Sequence, residues 1–166
     1  MAKALFISSK ELKTFTTVNA GVSPDKYLSA VYLAQETHIH GLLGTDLYNK
    51  LSNDIETGTL NAVYKALLDD YIKPILLQYS LVEMVPRIHY QITAKGIIKH
   101  TTENGESATA EEVNEMVERE RSAAQFYADR FIDYINNHST SFPEYLSNSS
   151  GDLYPDNTSY YSGFVL

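Results

Sequence analysis

The most continuously apolar stretch of the chain spans residues 71–92. These roughly 22 residues are far too many for an ordinary strand of about five or six, so the pattern predicts a helix. Its apolar side chains lie on nearly all sides, which is typical of a helix buried by other elements. Lys73, Glu83, Arg87 and His89 interrupt the run and argue against a membrane span.

The polar residues of this central helix are grouped as well. At 100° per residue, Lys73, Glu83 and Arg87 lie on one narrow side, whereas Gln78 and His89 lie roughly opposite. Two such polar seams suit a helix that contacts neighbours within the chain and a second subunit. The alternative is one seam that faces solvent, together with two core polar side chains that have internal partners.

Helical patterns also precede the central stretch. A helix is expected from Pro24 to about His40, because a serine, a proline and an acidic residue mark its start and a glycine-containing turn at 41–44 ends it. A short helix is predicted over residues 46–56, and another over about residues 60–71.

Two prolines bear on the central helix. Pro74 either breaks the helical path or opens the central helix as an early residue. Pro86 is expected to kink the helix without ending it, because Ile88 and Ile92 continue the apolar pattern.

The pattern changes after the central helix. β-Branched residues around Lys95 and Gly96 and the turn signal Asn104-Gly105 predict a short hairpin or an extended loop. A long helix follows over residues 110–138, because an apolar stripe recurs at helical spacing there.

These elements predict an all-α protein, a small helical bundle of about four main helices with a short β-hairpin or loop excursion and extended arms. We assign residues 1–22 to an N-terminal arm, 23–138 to the helical domain and 139–166 to a tyrosine-rich C-terminal tail. The tail has no Lys or Arg, and its composition would not fold alone. Either the chain's own core or a partner must hold it, and we favour a partner because its apolar, aromatic end suits groove docking.

The net charge of −8 argues against tightly held nucleic acid, although repulsion suits a passage through which DNA slides. The absence of cysteine excludes disulfides and thiolate metal ligands. The N-terminal segment has no long apolar region and is interpreted as mature protein, not a signal peptide. Thirteen tyrosines suit interfaces, because each pairs a large ring with a polar tip, but simple compositional bias is the alternative.

No sequence signature of catalysis is found. The chain has no phosphate-binding glycine loop, no G-x-S-x-G elbow and no H-E-x-x-H motif. His38 and His40 are two residues apart, so on a helix they point to different sides and do not share a metal. We interpret His89 as a buried or seam histidine and not as a base. We therefore expect no enzymatic activity, no metal and no cofactor.

Several stretches resemble the head–tail connector or adaptor proteins of tailed phages, those of crAss-like and other Bacteroidetes phages in particular. They are YLSAVYLAQETHIHGLLGTDLYNKLSND at 27–54, YIKPILLQYSLVEMV at 71–85, ITAKGII at 92–98, and the long helix that ends near FPEYL. The resemblance covers about residues 20–147 and leaves most of both arms aside.

The resemblance implies a virion structural protein of the phage neck. Subunits of that family form a ring of about twelve copies below the portal, which requires head-to-tail contacts that close. The ring continues the DNA channel and joins head to tail, so the implied partners are further copies, the portal and other neck or tail proteins, with DNA only passing through. A helical regulatory module outside the virion and, less favoured, a small helical enzyme are the alternatives.

The resemblance also directs attention to three groups of residues. Subunit-interface candidates are the seam residues Lys73, Gln78, Glu83, Arg87 and His89. Candidates that face the channel or a neighbouring subunit are Lys95, Gly96, Asn104 and Gly105. Candidates that dock on the portal or an adjacent subunit are Leu153, Tyr154, Tyr160, Tyr161, Phe164, Val165 and Leu166.

Overall fold

The computed structural model describes residues 4–18, 21–94, 96–99 and 108–158. The first helix, α1 (Ser9–Phe15), begins with a capping box in which Ser8 and Glu11 each accept a hydrogen bond from the other's backbone amide. Leu12 is buried, and so are Phe6 and Ile7 just before the helix. The N-terminal arm therefore packs on the chain's own core.

The helix expected from Pro24 to about His40 is longer and less regular. It comprises α2 (Pro24–Ala34), a wider π-helical turn (Gln35–Ile39) and α3 (His40–Leu43), which follow one another without a break. Gly41 therefore lies within the helix. Gly44 ends it at φ +73° and ψ 159°, a conformation that only glycine adopts readily.

Helix α4 (Thr45–Thr57) starts directly after Gly44, and Gly58 ends it in the left-handed conformation. Next come α5 (Ala62–Leu67), a second π-helical turn (Leu68–Ile72) and the central helix α6 (Lys73–His89). Pro74 lies at the start of α6, directly after this wide turn, where its missing amide and its ring are tolerated.

The central helix continues through Pro86 but ends at His89, three residues before the expected Ile92. Tyr90 instead begins β1 (Tyr90–Thr93), which pairs antiparallel with β2 (Gly96–Lys99) in the register Tyr90↔Lys99. The predicted hairpin is therefore confirmed. Its first strand includes residues 90–92, which were predicted to end the central helix.

The longest helix, α7 (Ala110–Asn137), starts with a second capping box made by Thr109 and Glu112. Helix α6 packs mainly against α7 and α2, so the predicted central position is confirmed. The described residues form an all-α bundle with one short hairpin. No helix within the described ranges has both the length and the apolarity needed to cross a membrane.

The described part of the C-terminal tail departs from expectation. Two short 3₁₀ turns (Ser139–Ser141 and Pro143–Tyr145) follow α7. Phe142 and Tyr145 are completely buried and belong to the main core. The preference for a partner was therefore wrong for the described part of the tail, because the chain's own core holds Phe142 and Tyr145 and hydrogen bonds to residues 41–46 hold the segment beyond them. Composition misled the prediction, because two aromatic rings suffice to anchor a segment that is otherwise polar.

Candidate interaction surfaces

The C-terminal arm, residues 146–158, is clamped to the start of α4. The amide of Thr45 donates to the Leu153 carbonyl at 3.0 Å, and the amide of Leu153 donates to Thr45 Oγ1 at 3.1 Å. One turn away, the Asp156 amide donates to the Gly41 carbonyl at 2.9 Å. These bonds fix the backbone of the arm against the turn between α3 and α4.

A second clamp lies beside the first. The carboxylate of Asp46, in the first turn of α4, accepts hydrogen bonds from the Ser147 hydroxyl, from the amide and hydroxyl of Ser149, both at 2.8 Å, and from the Ser150 amide at 3.2 Å. These donors, the Ser147 hydroxyl first, hold the pKa of Asp46 well below its usual range. Asp46 therefore stays ionised and ties the arm to the bundle.

The two clamps leave apolar side chains facing outward. Leu153 is 45% exposed and Tyr154 is 56% exposed, although their backbone is held in place. The Tyr154 hydroxyl donates to the Leu146 carbonyl at 3.1 Å, which fixes the direction of its ring. The other five docking candidates lie outside the described residues: Tyr160, Tyr161, Phe164, Val165 and Leu166.

Lys73, from the first predicted seam, has partners within the chain. Its ammonium lies 2.7 Å from both the Glu11 and the Asp69 carboxylates, and so joins α1 to α6. Burial raises the pKa of Glu11, but the Lys73 ammonium and the Ser8 donors outweigh burial and hold that pKa below its usual value.

Glu83, from the same seam, faces the π-helical turn that contains His38. Its carboxylate lies 3.5 Å from His38 Nε2 and 3.7 Å from the Arg87 guanidinium. The His38 ring stacks on Tyr79 with ring centres 3.8 Å apart. Burial lowers the pKa of His38, although Glu83 opposes that effect.

The second predicted seam is different. Gln78 Oε1 and His89 Nε2 are buried, and neither has a hydrogen-bond partner in the described part of the chain. The His89 ring contacts Tyr90 edge-on at 4.5 Å between ring centres. A subunit boundary at either seam stays a prediction. Of the predicted loop candidates, Gly96 is exposed at the start of β2, whereas Lys95, Asn104 and Gly105 lie outside the described residues.

Two grooves flank the α6–α7 pair. The first, here called the α1–α6 groove, has a volume of about 560 Å³. It is lined by Glu11, Phe15, Lys65, Asp69, Lys73, Pro74, Leu77, Gln78 and Tyr127. The structure thus places Lys73 and Gln78, predicted on different seams, in one groove.

The second, here called the α3–α7 groove, has a volume of about 200 Å³. It lies between the first π-helical turn (Gln35–Ile39) and α7. Its lining includes His38, Tyr79, Ala128, Asp156 and Thr158. Thr158 is the last residue that the structure describes. The tail therefore leaves the described structure at this groove.

A polar contact that sequence reasoning missed supports the N-terminal arm. The fully buried Gln35 accepts a hydrogen bond from the Phe6 amide at 2.8 Å, and donates to the Ala4 carbonyl at 2.8 Å and to the Tyr48 hydroxyl at 2.9 Å. The π-helical turn that contains Gln35 can be recognised only in the structure. No helical periodicity distinguishes that turn from an ordinary one.

Within the residues that the structure describes, no three His, Asp or Glu side chains are arranged to hold a metal ion. The comparisons with known proteins give one match. The family described as "Family of unknown function (DUF6712)" matches residues 39–154, which is most of the chain from the π-helical turn to the arm. No curated protein and no solved structure matches the chain.

Proposed function

The chain belongs to DUF6712, a family of unknown function, and we propose that this member is a structural subunit of a phage neck ring. The ring would attach below the portal, continue the DNA channel and join head to tail. The stretches quoted above for the resemblance to adaptor proteins support this assignment, and most of them lie within the family match at 39–154.

The observation that carries the proposal is the clamped arm. A free apolar tail would lose conformational entropy when it binds, whereas the Thr45 and Asp46 clamps already hold the backbone around Leu153. The arm therefore presents the Leu153 and Tyr154 side chains from a fixed backbone, and such preorganisation favours binding to a large structural partner.

Two further properties agree with this role. The net charge of −8 would keep DNA from adhering to a ring through which it must pass. The bundle also presents large exposed side chains on different helices, including Phe15 on α1, Val63 on α5 and Phe126 on α7. Scattered exposed apolar residues are normal, but several on different faces suit a subunit with more than one neighbour.

The test is co-assembly with a phage portal protein, the one that the same genome would encode under this proposal. We expect co-expression to give a complex of portal and this chain, which native mass spectrometry and electron microscopy would count and image as a ring. Leu153→Asp combined with Tyr154→Asp should abolish the complex, because both side chains are exposed and their loss leaves the core intact.

The matched control is Leu28→Asp combined with Tyr32→Asp, which places the same two charges on another partly exposed leucine and tyrosine, on α2. It should leave portal binding unchanged. A wild-type chain that stays monomeric and ignores the portal would refute the neck role, and would favour a regulatory module outside the virion. Virions whose purified necks lack the chain would refute it as well.

A further inference from the structure

The α1–α6 groove is large, open and electrically neutral. Two lysines and two carboxylates meet at one of its walls, where Lys73 pairs with Glu11 and Asp69, and Lys65 pairs with Asp69 at 2.6 Å. The rest of the lining is mainly apolar. In a chain of net charge −8, this balanced surface suits an occupant that carries no charge of its own.

Two of the side chains that line the groove would gain from an occupant. One is an exposed aromatic ring, and the other has a buried oxygen that accepts no hydrogen bond from a described residue. The Phe15 ring is 68% exposed at the edge of the groove, although a large apolar ring gains by burial. Gln78 Oε1 is buried but accepts no hydrogen bond from any described residue. An occupant with apolar rings and a hydrogen-bond donor would satisfy both.

We propose that residues 159–166 of a second copy of this chain occupy the groove. Their sequence, SYYSGFVL, has no charged side chain and matches the neutral lining. It carries three aromatic rings, those of Tyr160, Tyr161 and Phe164. A cavity of about 150 Å³ holds one benzene. The groove, at about 560 Å³, therefore has room for three rings.

The geometry favours a second copy over the chain's own tail. The tail leaves the described structure at Thr158, in the α3–α7 groove, where Tyr79 lies. At 100° per residue, Tyr79 lies on the side of α6 opposite to Pro74 and Leu77, which line the α1–α6 groove. The tail therefore leaves on one flank of the α6–α7 pair, and the groove that would receive a tail lies on the opposite flank.

Because the tail leaves on one flank and the receiving groove lies on the other, the contact between two copies joins different surfaces and is heterologous. Each copy then offers its tail to the next copy and receives a tail from the one before, so the contact repeats until a ring closes. This inference rests on the proposed ring, and names the segment that would link its subunits.

Cysteine cross-linking tests the contact directly, because the natural chain has no cysteine and every introduced thiol is unique. One full-length variant carries Thr14→Cys, exposed on α1 next to Phe15 at the edge of the groove, and Ser162→Cys in the tail. A second carries Thr14→Cys with Ser159→Cys. Both keep the three aromatic rings. On mild oxidation, we expect a ladder of covalent dimers and higher oligomers in a denaturing gel.

The matched control pairs each tail cysteine with Asn53→Cys, which is exposed on α4 and lies outside the groove lining. The groove variants should give at least tenfold more ladder than this control at equal concentration. Excess synthetic peptide SYYSGFVL should suppress the ladder, whereas a scrambled peptide of the same composition should not.

Three outcomes would overturn the inference. A fast-migrating monomer with an internal disulfide would place the tail in its own groove. Equal ladders from groove and control variants would show random collision, and a ladder that resists the peptide would show that the tail does not occupy the groove. Portal binding is measured separately on the wild-type chain, so a failed tail contact and a failed neck role remain distinguishable.

Discussion

Pro155 lies directly against the backbone of Gly44. A Cβ atom placed on Gly44 would lie 2.7 Å from Pro155 Cδ and 2.9 Å from the Pro155 nitrogen, closer than side chains tolerate. The same glycine has φ +73° and ψ 159°, which L-residues rarely adopt. The turn between α3 and α4 therefore requires glycine for two reasons: the backbone conformation at Gly44, and the close approach of Pro155 from the C-terminal arm.

Gly44→Ala should destabilise the fold and release the arm. The strained backbone alone costs about 1–3 kcal/mol of unfolding free energy, and the clash with Pro155 adds to it. Urea denaturation measures the loss, and limited proteolysis should show faster cleavage within residues 146–158. Gly41→Ala is the control, because a Cβ there meets nothing within 4 Å and alanine favours the helix. A Gly44 variant no less stable than the Gly41 variant would contradict this account.

Gln35→Met should detach the N-terminal arm. Methionine has a similar size but leaves the Phe6 amide and the Ala4 carbonyl without their buried partner, at a cost of about 2–4 kcal/mol. Hydrogen exchange of the Phe6 amide and the urea midpoint report the loss. Tyr48→Phe is the milder comparison, because it keeps the ring and removes one of the three partners of Gln35. Equal stability of the wild-type and methionine variants would show that water satisfies these groups.

The starts of α2 and α7 could be predicted from the sequence because their signals are local. Thr109 with Glu112 forms a capping box within four residues, and Pro24 marks a helix start in the same way. The two π-helical turns could not be predicted, because the 3.6-residue pattern continues across each of them. The last residues of α6 were assigned to helix for a similar reason, since Ile92 fits both periods.

The candidate surfaces were predicted less well than the fold, for a physical reason. The Asp46 clamp joins residues about a hundred positions apart, and nothing in its local sequence distinguishes Asp46 from a first-turn helix acid. The α1–α6 groove is likewise lined by residues of α1, α5, the second π-helical turn, α6 and α7, which are distant in the sequence. Lys73 was selected from its place on α6, but its partner Glu11 comes from an arm whose packing the sequence left open.

Lys73→Met should loosen α1. The Lys73 ammonium holds Glu11 and Asp69 at 2.7 Å each in a half-buried setting, so its loss should cost about 1 kcal/mol of unfolding free energy. Salt should reduce the difference between variant and wild type, because it screens the ion pairs. Arg121→Met removes an exposed pair with Glu118 at 3.3 Å and should change the urea midpoint little. Equal effects of the two substitutions would contradict a special role for the Lys73 network.

His38 should make the fold sensitive to mild acid. Burial lowers the pKa of folded His38 below its usual 6.5, whereas the unfolded chain keeps the usual value. The unfolded state therefore binds the proton more readily. The contribution of His38 to stability is present above about pH 6.5 and is lost as the pH falls below that value.

His38→Phe separates this effect from other titrations. Phenylalanine keeps a ring against Tyr79, which lies 3.8 Å away between ring centres, but it binds no proton. Urea midpoints measured from about pH 7.5 to pH 5 should fall less steeply for this variant than for wild type. Asn53→Gln, at an exposed position of α4 that carries no titratable group, should keep the wild-type slope. If the slopes of wild type and His38→Phe coincide, another group is responsible for the acid sensitivity, and the stacked ring contributes through packing alone.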